Sequence, residues 1–334
     1  MKVTILEFVP CADSIYHVRR DEEEGYIASD ERTVKIRSGA KLRPRAVSTY
    51  AGGKATNVAR VMNNLLDDNE AVEIELVVFR PDSPEGRYIH DLQVSALTRV
   101  QVRPVIIEGR ARICVDLTDP TTAGDSRVEF NISPRALWEA TAQDRALEFA
   151  SGLSTDLLLI AGNPPIIEAT GRWVVELCAQ IIEEVRERAG LISIDVEKGA
   201  LANCLRANAK PDMIKINERE YQSVDDSLWN DFAGALVVTD ASGCRVWENR
   251  ARASYDRVQG LEAQILYSTI GAGDAMHAGL AVARWVWGFD LVRASRYGQA
   301  TAAASVTSPD GTRGISRQTV ERLFAKLETE EEGR

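Results

Sequence analysis

The chain has 334 residues, 45% of them apolar and 27% charged, which fits a folded globular protein and excludes a disordered one or a disulfide-stapled miniprotein. Lys and Arg total 40 against 50 Asp and Glu, and a formal net charge of -10 disfavours nucleic acid and anionic membrane as partners. The five cysteines and three histidines share no metal-ligand or redox spacing, so reduced thiols of a cytoplasmic protein are expected.

In chain order, Val3 to Leu6 is a short apolar run that Glu7 ends before it reaches signal-peptide length, and no later segment approaches ~18 apolar residues. Arg32 to Arg37 sets Val34 and Ile36 among polar neighbours, the pattern of a strand buried on one face. Val58, Val61, Met62, Leu65 and Leu66 make a helical stripe before the apolar run Ile74 to Phe79. Arg112 to Asp119 alternates again, followed by Val128 to Asn131. Leu157 to Ala161, Leu191 to Val196, Met213 to Ile216 and Ala235 to Val238 are further buried strands, with a helical stripe from Trp173 to Val185 among them. The acidic run Asp21 to Glu24 and the segment Ser38 to Arg45 read as solvated loops, and Glu328 to Arg334 as a frayed tail.

This alternation predicts a doubly wound α/β domain with a mainly parallel sheet and helices on both faces, over residues 1–12, 51–109 and 132–330. Two excursions, 13–50 and 110–131, are expected to build a small antiparallel β lid.

Two glycine-rich helix starts carry the chemistry. In Ser268-Thr269-Ile270-Gly271-Ala272-Gly273-Asp274, glycines open an apolar helix running to about Trp287, whose free amides can hold an anion. Asp274 is then placed to take a proton from an attacking hydroxyl, although a carboxylate there also simply complements the helix dipole. Ala51-Gly52-Gly53-Lys54-Ala55-Thr56-Asn57 opens the first crossover helix and reads equally as a tight turn or as part of a site at the strand ends. Met276 breaks the dinucleotide G-x-G-x-x-G pattern, and Ser48 and Ala55 break the P-loop.

Together these segments resemble the two signatures of the PfkB, or ribokinase-like, family of sugar kinases, G-G-x-x-x-N and D-T-x-G-A-G-D. Phe8 to Asp13, Ala161 to Pro165 and Lys215 to Glu220 are similar to that family's N-P-S-x-D, S-G-S-L-P and K-x-N-x-x-E. Gly53-Lys54 with Asn57 to Arg60, Gly109 to Arg112 and Ser308 to Arg313 resemble its phosphofructokinase and tagatose-6-phosphate kinase branch.

The resemblance implies ATP-dependent phosphorylation of a ketohexose phosphate such as fructose 6-phosphate, fructose 1-phosphate or tagatose 6-phosphate. Asp274 would be the base, with the amides of Gly271, Ala272 and Gly273 around the transferring phosphoryl. Asp13, Gly52, Gly53, Lys54, Asn57, Arg112 and Asn163 would bind the sugar phosphate, with Lys54 and Arg112 on its phosphate group. Lys215, Asn217, Glu220, Thr239, Gly243 and Gly311 would serve the nucleotide, with Asn217 and Glu220 ordering Mg²⁺ mostly through water. Asn217 and Glu220 also form a helix capping box, a role compatible with the first, and the alternative reading of Arg112 is an exposed strand charge. Val238 to Gly243 is shorter than the family's nucleotide loop and Ser268 replaces an aspartate of its monovalent-cation loop, which leaves nucleotide choice and potassium dependence open. A homodimer joined through the lid is expected. The alternatives are a kinase of an unphosphorylated sugar or nucleoside, and a catalytically weak sugar-phosphate sensor.

Overall fold

The computed structural model describes residues 1–17, 26–30, 33–36, 46–118, 128–133, 137–197, 199–250, 254–261 and 267–332. Its apolar runs assemble into a nine-stranded sheet in the order Asp256–Gln259, Gly243–Trp247, Ala235–Asp240, Met213–Asn217, Ala189–Asp195, Thr155–Ala161, Lys2–Glu7, Glu73–Pro81 and Val100–Ile107. All neighbours from Ala235–Asp240 to Val100–Ile107 are parallel, and the hairpin of Gly243–Trp247 and Asp256–Gln259 adds an antiparallel edge.

The strands are apolar at successive positions because both faces are covered. In Thr155–Ala161, Leu157, Leu159 and Ala161 join the core that contains Val58, Met62 and Leu280, whereas Leu158 and Ile160 join the one that contains Ala146, Ile181 and Leu201. Helices Lys54–Leu65, Ala272–Ala281 and Leu291–Val306 cover the first face, and Ala140–Ser151, Leu177–Val185 and Gly199–Arg206 the second. The chain winds outward from Lys2–Glu7 to one side, then returns and winds to the other, so a crevice opens at the carboxyl ends of the strands where the direction reverses.

A second sheet, ordered Val128–Ser133, Arg112–Thr118, Cys11–His17 and Ala46–Gly52, stands over that edge. Its outer pairs are antiparallel but its central pair is parallel. The reason is that Cys11–His17 continues from Lys2–Glu7 and Arg112–Thr118 follows Val100–Ile107, two strands that leave the main sheet in the same direction. Ala12 and Ala111 anchor it on Ile89 of helix Pro84–Ala96. Tyr26–Asp30 and Thr33–Ile36 form a separate hairpin, and Asp21 to Glu24 and Ser38 to Arg45 lie outside the described residues.

Two local expectations change, at Trp173 and at the tail. Arg172–Trp173 is a short strand paired with Ile166–Ile167, and the helix begins at Leu177, after Gly171 with φ 65° has turned the chain. The helix opened by Gly271 runs to about Trp287 as expected, its last turn, Val282–Val286, being π-helical. The tail is helical through Arg317–Glu332. Among the described residues no helix is long and apolar enough to cross a membrane.

Candidate active site

The crevice contains a cavity of about 410 Å³ whose walls come from segments distant in sequence. Asp195, Asn217 and Thr239 reach it from strand ends, Gly53, Lys54 and Asn57 from one helix start, and Ile270, Gly271, Gly273 and Asp274 from another. The small sheet contributes Cys11, Asp13, Arg112 and Cys114, which share a face because they alternate along two adjacent strands.

Both helix starts depend on a glycine at positive φ. Gly53 has φ 104°, and a Cβ there would lie 2.6 Å from the Glu7 carboxylate. Gly271 has φ 81°, and a Cβ there would lie 2.8 Å from Thr312. Gly52 lies outside the cavity lining and has another use: a Cβ on it would occupy the place of the Asp13 carboxylate, 1.9 Å away.

Asp274 is held by Asn57, whose Nδ2 donates to Asp274 Oδ2 at 2.9 Å. The orientation of that amide is fixed from behind, since Asn57 Oδ1 accepts from Arg60 Nη1 at 2.6 Å and from Thr312 Oγ1 at 3.3 Å. One oxygen of Asp274 is thereby committed to Asn57. Burial pushes the Asp274 pKa up to about 6, with Asp195 adding to the rise, while Lys54, the Asn57 hydrogen bond and Lys215 oppose it. At neutral pH the group is therefore mainly ionised yet basic enough to accept a proton.

The charge beneath is a buried relay. Asp195 binds Lys215 at 2.7 Å and Lys54 at 3.3 Å, and Lys54 lies 4.0 Å from Glu220. Burial alone would raise the Asp195 pKa, but Lys215 and Lys54 hold it well below the usual carboxylate range. Burial opposes charge on Lys54 too, but Asp195, Asp274 and Glu220 hold its pKa above the ordinary lysine value. Lys215 is pressed against the second helix start, where a Cβ on Gly273 would come within 3.0 Å of its Nζ.

Asn217 and Glu220 form the capping box, each side chain accepting from the other's backbone amide at 2.9 Å. This uses Glu220 Oε2 and leaves Oε1 toward Lys54 and the cavity. Hard oxygen donors of this kind suit Mg²⁺ bound through water.

The structure brings Asp13, Gly53, Lys54, Asn57, Arg112, Lys215, Asn217, Glu220, Thr239, Gly271, Gly273 and Asp274 onto one cavity. It leaves Gly52, Asn163, Gly243, Ala272 and Gly311 off its walls. The Ala272 amide donates to the Thr269 carbonyl at 3.2 Å. Gly243, with φ 141°, permits the edge hairpin, because a Cβ there would meet the Val258 carbonyl at 2.1 Å. Gly311, with φ 56°, opens the 3₁₀ turn that carries Thr312 onto Asn57. Asn163 follows the strand Thr155–Ala161, and its Oδ1 is buried without a partner. Sequence reasoning missed Asp195, Cys11, Cys114 and Ile270 on the walls, and Glu7 behind them.

A model of the pfkB family carbohydrate kinases matches residues 24–317. The chain is 24% identical over 308 residues to a 1-phosphofructokinase of Haemophilus influenzae, a match that covers 84% of this chain and 88% of the relative. In fold it is similar to phosphofructokinase-2 from Escherichia coli, solved in complex with potassium, with a TM-score of 0.76, 18% identity, and 98% of this chain and 99% of the other covered. It is also similar to ribokinase from Thermotoga maritima, with a TM-score of 0.63, 14% identity, and 97% and 99% covered.

Proposed function

Since the chain belongs to the pfkB family of carbohydrate kinases, we propose that it transfers the γ-phosphoryl group of ATP to a hydroxyl of a ketohexose phosphate, of the class that includes fructose 6-phosphate, fructose 1-phosphate and tagatose 6-phosphate. The observation that carries this reading is the pair Lys54 and Arg112, cations brought to one cavity from the main domain and from the small sheet of a protein whose net charge is -10. A phosphorylated substrate needs a cation at its phosphate group and a neutral sugar does not. The 24% identical relative named for 1-phosphofructokinase activity agrees with it.

Asp274 accepts the proton of the attacking hydroxyl on the carboxylate oxygen that Asn57 leaves open. Asp13 accepts hydrogen bonds from other sugar hydroxyls, and Arg112 holds the sugar phosphate. Lys54, drawn inward by Asp195 and Glu220, sits between that phosphate and the transferring group. The Gly271 and Gly273 backbone at the helix start, with Lys215 beside it, stabilises charge on the phosphoryl oxygens. Glu220 and Asn217 would hold Mg²⁺, which when bound neutralises phosphate charge. The small sheet acts as a lid that keeps water from the phosphoryl group. A second copy pairing through that sheet is our reading of the assembly.

The test is Arg112→Met. Removing one charge-assisted contact costs roughly 1.5–3 kcal/mol, about one to two orders of magnitude in affinity. The Michaelis constant for the ketohexose phosphate should rise by that factor, with the ATP constant and residual activity on the unphosphorylated sugar little changed. Equal loss on both sugars would make Arg112 structural and the substrate a neutral sugar.

A further inference from the structure

The small-sheet wall of the cavity carries a feature that phosphoryl transfer does not use. Cys11 and Cys114 lie on adjacent parallel strands, Cys11 in register with Arg112 and Cys114 with Asp13, so both thiols and the Asp13 carboxylate point to one face. The two Sγ atoms are 3.3 Å apart, Cys11 Sγ is 3.1 Å from Asp13 Oδ1, and one ligand atom from each of the three residues lies within 4.8 Å of the others. Both cysteines are 3% exposed as residues, yet both line the cavity, so an ion in solution can reach them.

Two chemistries could use such a pair. A disulfide needs α-carbons within ~7 Å. Here a two-residue stagger across adjacent strands implies roughly 8 Å, from ~4.8 Å between strands and ~3.3 Å per residue along them. An ion bound to both sulfurs at ~2.3 Å in tetrahedral geometry needs them about 3.8 Å apart, and a carboxylate oxygen at ~2.0–2.2 Å as third ligand. A small opening of the observed 3.3 Å pair meets that requirement.

We propose that Cys11, Cys114 and Asp13 bind a thiophilic divalent cation, Zn²⁺ or Cd²⁺, with the fourth position open to the cavity. As each sulfur–metal bond forms, the S–H bond breaks and its proton passes to solvent, with no change of oxidation state. Two thiolates and one carboxylate against a dication leave one negative charge, which the neighbouring Arg112 offsets. Because Asp13 is also the proposed sugar anchor, a claim that rests on the function proposed above, the bound ion excludes the sugar and the enzyme is inhibited competitively with it.

Cys178 and Cys204 provide an internal control, since they too are in contact but are buried in the core away from the cavity. The full chain is titrated with Cd²⁺ while the thiolate-to-cadmium ultraviolet absorption is followed, and with Zn²⁺ against a chromogenic chelator. The wild type and C178S/C204S should take up one ion per chain in the same affinity range. Cys11→Ser and Cys114→Ser should each weaken binding by at least ~100-fold, the upper range for loss of even an outer-shell partner. If a serine variant has lost its native circular dichroism, the alanine variant replaces it. Absence of the absorption band in the wild type, or its survival in C11S/C114S, overturns the proposal. Fructose 6-phosphate or fructose 1-phosphate should displace the ion. Binding through both cysteines without displacement by either sugar would uphold the metal site and overturn the competition, locating the failure in the role given to Asp13.

Discussion

The two glycine-opened helix starts, at Gly53 and Gly271, look alike in sequence and differ in what faces their amides. At the first, the Glu7 carboxyl group lies against Gly53 and one of its oxygens accepts from the Thr56 amide at 2.8 Å, so the protein supplies the acceptor itself. At the second, Gly271 and Gly273 face the cavity, and the nearby carboxylate, Asp274, is drawn aside by Asn57. A glycine-rich helix start is therefore not in itself an anion site. The first has its amides closed by a buried acid although Gly53 itself reaches the cavity wall, and the second leaves Gly271 and Gly273 open to the cavity beside the Asp274 carboxyl group.

The largest effect that tests this contrast is expected at the open start. Asp274→Asn keeps size and hydrogen bonding but removes proton affinity, so turnover should fall by ~10² or more with substrate binding nearly unchanged. In the wild type, kcat/KM should decline as pH falls below about 6, where Asp274 becomes protonated, and the residual activity of the variant should lack that limb. A loss under tenfold, or an unaltered pH profile, would remove Asp274 as the base. The intermediate effect belongs to the closed start. Gly53→Ala places a side chain at φ 104° and against Glu7, and should cost about 1–2 kcal/mol or more of stability, read as a lower denaturant midpoint at constant m. An unchanged midpoint would mean that the Glu7 contact is not tight.

The smallest effect is expected from Glu7→Gln. Burial pushes the Glu7 pKa from the ordinary 4.5 to about 8, opposed by the Thr56 hydrogen bonds, so at pH 7 the acid is mainly protonated and glutamine replaces it at little cost. Between those two values the folded chain binds a proton that the unfolded chain has released, so wild-type stability should fall as pH rises from about 5 to about 8. Unfolding curves of Glu7→Gln should lose that slope, and an identical slope in both proteins would assign the titration to another group.

Consecutive apolar runs and the two glycine motifs made the parallel sheet and most cavity residues legible in the sequence. Asp195 and Glu7 were not singled out because each ends a strand that reads as apolar, and their partners Lys54, Lys215 and Thr56 come from elsewhere in the chain. The usable signal was a carboxylate at the carboxyl end of a buried parallel strand, a position costly to charge without a partner. Trp173 and Val174 share the helical period that runs on to Val185, and only the strand pairing of Arg172–Trp173 with Ile166–Ile167 decided against a helix there. Gly243 and Gly311 matched expected motif positions, but their positive φ serves a hairpin and a turn.

The hydrogen bond from Asn57 to Asp274 spans 217 positions of sequence, and the Lys54 to Asp195 pair spans 141. Closing such long loops is entropically slow, and neither contact helps a partly assembled sheet. Each helix can form early, but the Asp274 carboxyl group is not aimed until segments from both halves of the chain have docked. During refolding, recovery of activity should therefore lag behind recovery of helical signal, and an intermediate with native-like secondary structure would be inert.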